Sequence, residues 1–277
     1  MKTFVFVMIT NRYLSLLAVG LLISAEAALA GDALPLADAR SSALADIYAP
    51  INSLLNPASM SLTPERAIGC VWQNRYLMKE LSTFSASYQQ PFALADLSVQ
   101  AGRYGYSEYA ENYVGTSVSK LLITGLSVGV RLFYTYVQYT GNVYNNSLFG
   151  CDIGLQYTPV DNFTVGMFIG NPIHFGSGSG EALNLPIRMA LGISYEVINN
   201  CSLLAEIEQR SGMPVRFKGA VCYDAERLLT LRVGLATAPL TPTAGVALRF
   251  APFTVDVALQ YHNTLGTSPT VGTTYSF

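Results

Sequence analysis

The sequence predicts an all-β protein, a transmembrane antiparallel β-barrel of about fourteen strands with a short N-terminal hatch segment, and three observations carry that prediction. First, a strand–turn–strand pattern runs unbroken from Arg66 to Phe277. Second, most of these strands have one apolar and one polar face. Leu126, Val128, Val130, Leu132 and Tyr134 alternate with Ser127, Gly129, Arg131 and Thr135, and Phe253, Val255, Val257, Leu259 and Tyr261 alternate with Thr254, Asp256, Ala258, Gln260 and His262. Third, 51% of the residues are hydrophobic and only 12% charged, about half the charge of an ordinary soluble domain. Beyond residue 30 there is still no apolar run of roughly 18 residues that would make a spanning helix. A membrane barrel turns the apolar faces to lipid and the charges to its lumen. A soluble sandwich, the structural rival, would turn the same apolar faces inward.

Residues 1–30 read as a signal peptide. Lys2 and Arg12 form a basic leader, Tyr13–Ile23 an apolar run, and Ala28-Leu29-Ala30 a small-x-small cleavage site. No Cys follows the run for acylation, so the mature chain is expected to begin near Gly31. Residues 31–64 read as a hatch or plug. Asp38 caps an expected helix over Ala39–Tyr48, with Leu44, Ile47 and Tyr48 on one side and Pro50 ending it. The segment then passes through Asn56-Pro57-Ala58, where proline forces the preceding residue out of the helical region.

Residues 65–277 read as the barrel. Strands are expected at 66–74, 81–89, 92–102, 111–120, 125–138, 147–157, 162–171, 185–196, 201–210, 214–223, 228–237, 243–250, 253–262 and 270–277. Their number is even, as a closed single-chain bacterial barrel requires. Tight turns such as Gln90-Pro91, 158–161, 197–200, 224–227 and Ala251-Pro252 fall on the side of both termini, assigned to the periplasm. The opposite turns are assigned to the cell exterior, and none exceeds roughly a dozen residues. Tyr134, Tyr136, Tyr157, Tyr195, Tyr261 and Tyr275 suit an interfacial girdle. Gly129, Gly150, Gly154, Gly192, Gly234 and Gly245 on the lumen face leave room for the hatch. The closing strand ends on outward-facing Tyr275 and Phe277, read as an assembly signal.

Charge alone sets one register. Folding Cys201–Tyr223 about Gly212 puts Glu206 opposite Lys218 and Glu208 opposite Arg216. Facing opposite charges contribute roughly 0.2–1 kcal/mol each. With Arg188, Arg232 and Asp152 these residues make an expected lumen charge ladder. Other motifs are bland. The run from Phe175 to Gly180 lacks the helix a phosphate cradle needs. His174 and His262, the only histidines, are far apart, so no metal site is expected. The four cysteines read as free thiols, and no Ser/His/Asp set suggests an enzyme or a cofactor. A net charge of −2 points away from nucleic acid.

Ala39–Ala45 followed by Asn56-Pro57-Ala58-Ser59-Met60 resembles the entrance of the fatty-acid-transporter superfamily of outer-membrane barrels. So do Gly125–Val130, Asp152–Pro159, and the ending from His262–Gly266 to Tyr275-Ser276-Phe277. That superfamily includes FadL-type transporters and the PorV-type proteins of the Bacteroidetes type IX secretion system. The resemblance implies fourteen strands and an N-terminal hatch. Two departures, Ala45-Asp46 where the family has paired glycines and a much shorter chain, point toward the PorV-like side. The expected function is therefore a non-enzymatic scaffold subunit of an envelope machine for secretion or outer-membrane protein assembly, with outer-membrane lipid and other envelope proteins as partners. The alternative is a FadL-like channel that takes up a small hydrophobic molecule.

Overall fold

The computed structural model describes residues 36–139, 145–178, 185–226 and 228–277. The signal-peptide assignment therefore lies outside the described residues. After a short helix, α1 (Ala39–Ala43), and a 3-10 turn (Pro57–Ser61), the chain forms fourteen strands. They are β1 (Ala67–Asn74), β2 (Ser82–Gln90), β3 (Asp96–Gly105), β4 (Tyr109–Ile123), β5 (Leu126–Tyr139), β6 (Asn145–Val160), β7 (Phe163–Gly178), β8 (Arg188–Ile198), β9 (Cys201–Arg210), β10 (Arg216–Glu226), β11 (Leu229–Ala236), β12 (Thr241–Phe250), β13 (Phe253–His262) and β14 (Gly266–Ser276). Each pairs with its sequence neighbours, and β1 pairs with β14, closing the barrel. Closure leaves no edge strand with unpaired backbone groups, the condition for lying in lipid. We call the end where β1 begins and β14 ends the base, and the other end the mouth.

The period-two faces fall as the sequence requires. Along β9 the exposed residues are Leu203, Ala205 and Ile207, and the buried ones Leu204, Glu206 and Glu208. Some bounds differ. The third strand starts at Asp96 rather than Phe92, because residues 91–95 after Pro91 form the connection. Strands β4 to β7 run 14 to 16 residues, so this part of the wall stands taller than β11 with its 8.

The tall part contains a break. Gly150 pairs with His174 and Asp152 with Gly170, so Asn171, Pro172 and Ile173 of β7 all stand opposite Cys151. Asn171 adopts φ +57°, and Pro172 has no N–H to give the ladder. Toward the mouth, β7 and β8 pair no further than Gly170 with Arg188.

The expected ten-residue helix is corrected to the five residues of α1. Asp38 does cap it, accepting from the Arg40 N–H at 3.1 Å. Ala45 (φ 56°) and Asp46 (φ 61°) then turn left-handed. The reason is a competing acceptor: the N–H groups of Tyr48 and Ala49 donate to the Glu206 carboxylate at 3.0 and 2.8 Å. Ala45 and Asp46 thus keep the glycine-type backbone without glycine, at a cost of roughly 1–2 kcal/mol per residue.

Candidate functional site

The segment before β1 lies inside the barrel, and small residues in the wall make room for it. A Cβ at Gly129 would meet Pro57, at Gly154 Asn56, at Gly166 the Ala49 carbonyl, at Gly192 Pro50, at Gly234 Ala45 and at Gly245 Ala43. Five of these were expected from the lumen-facing glycines; Gly166 was not, and Gly150 faces Phe133 and Asn171 instead. Polar wall side chains complete the seat. Gln156 donates to the carbonyls of Ala49 (2.7 Å) and Ile51 (2.8 Å), and Ser127 to Ala58 (2.7 Å). Thr243 accepts from the Ala45 N–H and donates to the Ala43 carbonyl, both at 3.0 Å. Within the segment, the Asn56 amide donates to Ala49 (2.8 Å) and its oxygen accepts from the Ala58 N–H (3.1 Å), while Pro57 opens the 3-10 turn.

This fit gives a direct test. Gly166→Ala and Gly129→Ala are expected to destabilise the barrel by roughly 1–3 kcal/mol, since the hatch backbone has nowhere to retreat. Gly219→Ala, with open space around it, should be neutral. Thermal conversion of the folded to the unfolded gel band measures both, and equal behaviour of the three variants would remove the hatch from the account.

The expected charge ladder resolves into separate clusters. Lys218 bonds Glu206 at 2.7 Å, Glu208, and the Asp46 carbonyl at 2.7 Å. Arg210 holds Glu208 at 2.5 Å. Arg216 does stand opposite Glu208 in register, yet the expected Glu208–Arg216 ion pair is corrected: Lys218 and Arg210 already take that carboxylate, and Arg216 donates to the Thr237 carbonyl at 3.3 Å. Arg232 pairs with Asp256. Arg188 stands over the Phe168 ring at 5.5 Å. Asp152 belongs to a second cluster whose centre the sequence reading passed over. Arg131, 1% exposed, bonds Asp152 at 2.8 Å, the Gln100 side chain at 3.0 Å, and the hatch carbonyls of Leu54 (2.9 Å) and Leu55 (2.6 Å). The signal was present in the β5–β6 register, which sets Arg131 opposite Asp152.

The lumen also carries an apolar strip. Tyr113, Phe133 and Leu148 pack together with Leu36 and Leu185, and Phe168, Ala190, Tyr48 and Ala49 with Leu55. Strand parity places Phe133 on the same face as Arg131 and Thr135, so this too could have been found. At the base, Phe277 donates its N–H to the Arg66 carbonyl at 2.9 Å, its ring lies 4.4 Å from the Arg66 guanidinium, and it packs edge-on to Tyr275.

A cavity of about 390 Å³ opens at the mouth above the hatch, lined among others by Tyr48, Arg188, Glu208, Arg210 and Arg216. A second, of about 130 Å³, runs between the hatch and the wall past Gly69, Ser85 and Gln100 to Glu65 and Gln89 near the base. Leu36, Ala37, Asp38 and Leu55 border both. Among the described residues no three His, Cys, Asp or Glu side chains gather as metal ligands.

The architecture defines a class: a closed fourteen-strand barrel whose lumen holds its own N-terminal segment. No family model and no curated protein matches the sequence. Solved structures share the fold. "CymD monoaromatic hydrocarbon channel" aligns with a TM-score of 0.62 at 14% identity, covering 86% of this chain and 96% of that one. The Pseudomonas putida toluene transporter TodX gives 0.59 at 12%, covering 85% and 96%, and a Pseudomonas aeruginosa FadL homologue 0.59 at 13%, covering 90% and 100%. The fold is FadL-like. The expectation of a scaffold subunit for secretion or outer-membrane protein assembly is corrected by these likenesses, which are to a hydrocarbon channel and a toluene transporter over nearly the full length of each.

Proposed function

We propose that this chain is a non-enzymatic outer-membrane channel for a small hydrophobic molecule, with its base and C-terminus in the periplasm and its mouth outside. The observation that carries the reading is the apolar strip of Tyr113, Phe133, Leu148 and Phe168 on the inner wall of a lumen, where a water-filled pore would be polar throughout. The structural likeness to the hydrocarbon channel and the toluene transporter supports it. The β7 break offers a way out through the wall: among the described residues the seam between β7 and β8 has no ladder above Gly170, and the Asn171 amide, donating to the Leu185 carbonyl at 2.7 Å, spans it. A signal peptide at 1–30 fits this destination, and Phe277 fits an assembly signal.

The test is uptake of labelled toluene at limiting external concentration by cells lacking other channels. Expression of this chain is expected to raise the rate several-fold, and Phe133→Asn to return it toward the vector level while the barrel still shows a folded gel band. A rate at vector level from a correctly folded wild-type barrel would sink the reading.

A further inference from the structure

We infer that the mouth cavity is a binding site for the carboxylate of a small aromatic acid, so that the favoured cargo is an amphipathic organic anion rather than an uncharged hydrocarbon. This rests on the channel reading and adds the headgroup chemistry.

The first observation is a surplus of cations at one level of the wall. Arg188 of β8 pairs directly with Arg210 of β9, and Glu208, two residues before Arg210, stands opposite Arg216 of β10. All four side chains line the cavity. Like charges directly opposite each other across strands are destabilising. Among the described residues the nearby carboxylates are already shared, Glu206 and Glu208 by Lys218 and Glu208 also by Arg210. Among the described residues, no carboxylate lies within the 4.0 Å of an ion pair from Arg188 or Arg216. The cavity's other acids are engaged: Asp38 accepts from the Arg40 N–H and from Ser53 at 2.6 Å, and Asp46 from Gln260 at 2.6 Å.

The second observation is independent. Tyr48 is 4% exposed and lines the same cavity, yet its hydroxyl has no hydrogen-bond partner. A buried hydroxyl without a partner is unfavourable and calls for one. Tyr48 and Arg188 share a neighbour, Phe168, which Tyr48 meets edge-on at 5.2 Å and Arg188 covers at 5.5 Å. A phenol donor and an uncommitted guanidinium thus line one cavity beside a shared aromatic neighbour. A carboxylate takes two parallel N–H bonds from a guanidinium and has lone pairs left for the Tyr48 O–H. A ring attached to it would meet Leu55 and the Tyr48 ring, which line the cavity. The cavity of about 390 Å³ is within the size range of small-molecule sites.

The experiment is equilibrium dialysis of the detergent-purified full barrel against benzoate and its neutral isostere benzamide, beside the toluene uptake assay. Benzoate is expected to bind about tenfold more tightly than benzamide, and more weakly as salt rises, the worth of one charge-assisted pair. Arg188→Gln should remove that advantage, Arg216→Gln should reduce it, and Tyr48→Phe should weaken benzoate several-fold and more than it weakens benzamide. Equal binding of the two ligands, or a benzoate preference that survives both arginine substitutions, overturns the carboxylate site while toluene uptake keeps the channel reading standing. Absence of benzoate binding together with vector-level uptake overturns both.

Discussion

Arg131→Ala is expected to destabilise the barrel by roughly 3–5 kcal/mol, the cost of breaking a buried ion pair from one side, and to loosen the hatch. The Arg131 guanidinium makes four hydrogen bonds: to Asp152, to Gln100, and to two hatch carbonyls. Among the described residues, removing it leaves Asp152, wholly buried, with only the Asn171 N–H at 3.0 Å, and leaves the Leu54 carbonyl to Gln100 at 3.1 Å. The double change Arg131→Met with Asp152→Leu removes both charges and should recover part of the loss, because contacting residues are not additive. Two measurements check this. The temperature at which the folded gel band converts should fall most for the single variant, and planar-bilayer conductance, expected to be low in the wild type, should rise. Strict additivity with unchanged conductance would show that Arg131 neither pairs in a dry site nor holds the hatch.

Leu203→Arg is expected to impair assembly into the membrane, because arginine facing lipid costs up to roughly 2–4 kcal/mol at the midplane and less toward the interfaces. Leu203 is 47% exposed on the outer face, level with Val221 of β10 and Tyr195 of β8, so no neighbouring strand offers it a counter-charge. Ser202→Arg, one residue earlier and on the opposite face, points into the lumen beside Cys222 and Glu196 and should be much milder. The amount of folded protein in outer-membrane fractions compares the two. Similar losses from both would mean that the assignment of lipid and lumen faces is wrong.

What the sequence determined by itself follows from the two-residue period of a strand. A period fixes how many strands there are and which side chains share a face, and turn residues fix where each strand stops. The fourteen strands, the lipid face of Leu203 and the lumen face of Glu206 were therefore legible, as was the facing of Glu206 and Lys218, because opposite charge and hydrophobic face agree on one register. Asp38 was legible as a cap because its acceptor acts only two residues away. The tertiary structure decided everything that depends on distance across the lumen. Whether Glu208 holds Arg216 turned on two competing cations, one of them Lys218 reaching from the next lumen-facing position of β10. Whether α1 continued to Tyr48 turned on a carboxylate more than 150 residues away, Glu206, which took the N–H groups a helix would have used. Arg131 and the strip around Phe133 had the right parity, but parity says that a side chain faces inward without saying what it meets there. What each meets lay in the lumen's packing, which forms only once β1 pairs with β14 and the N-terminal segment is enclosed.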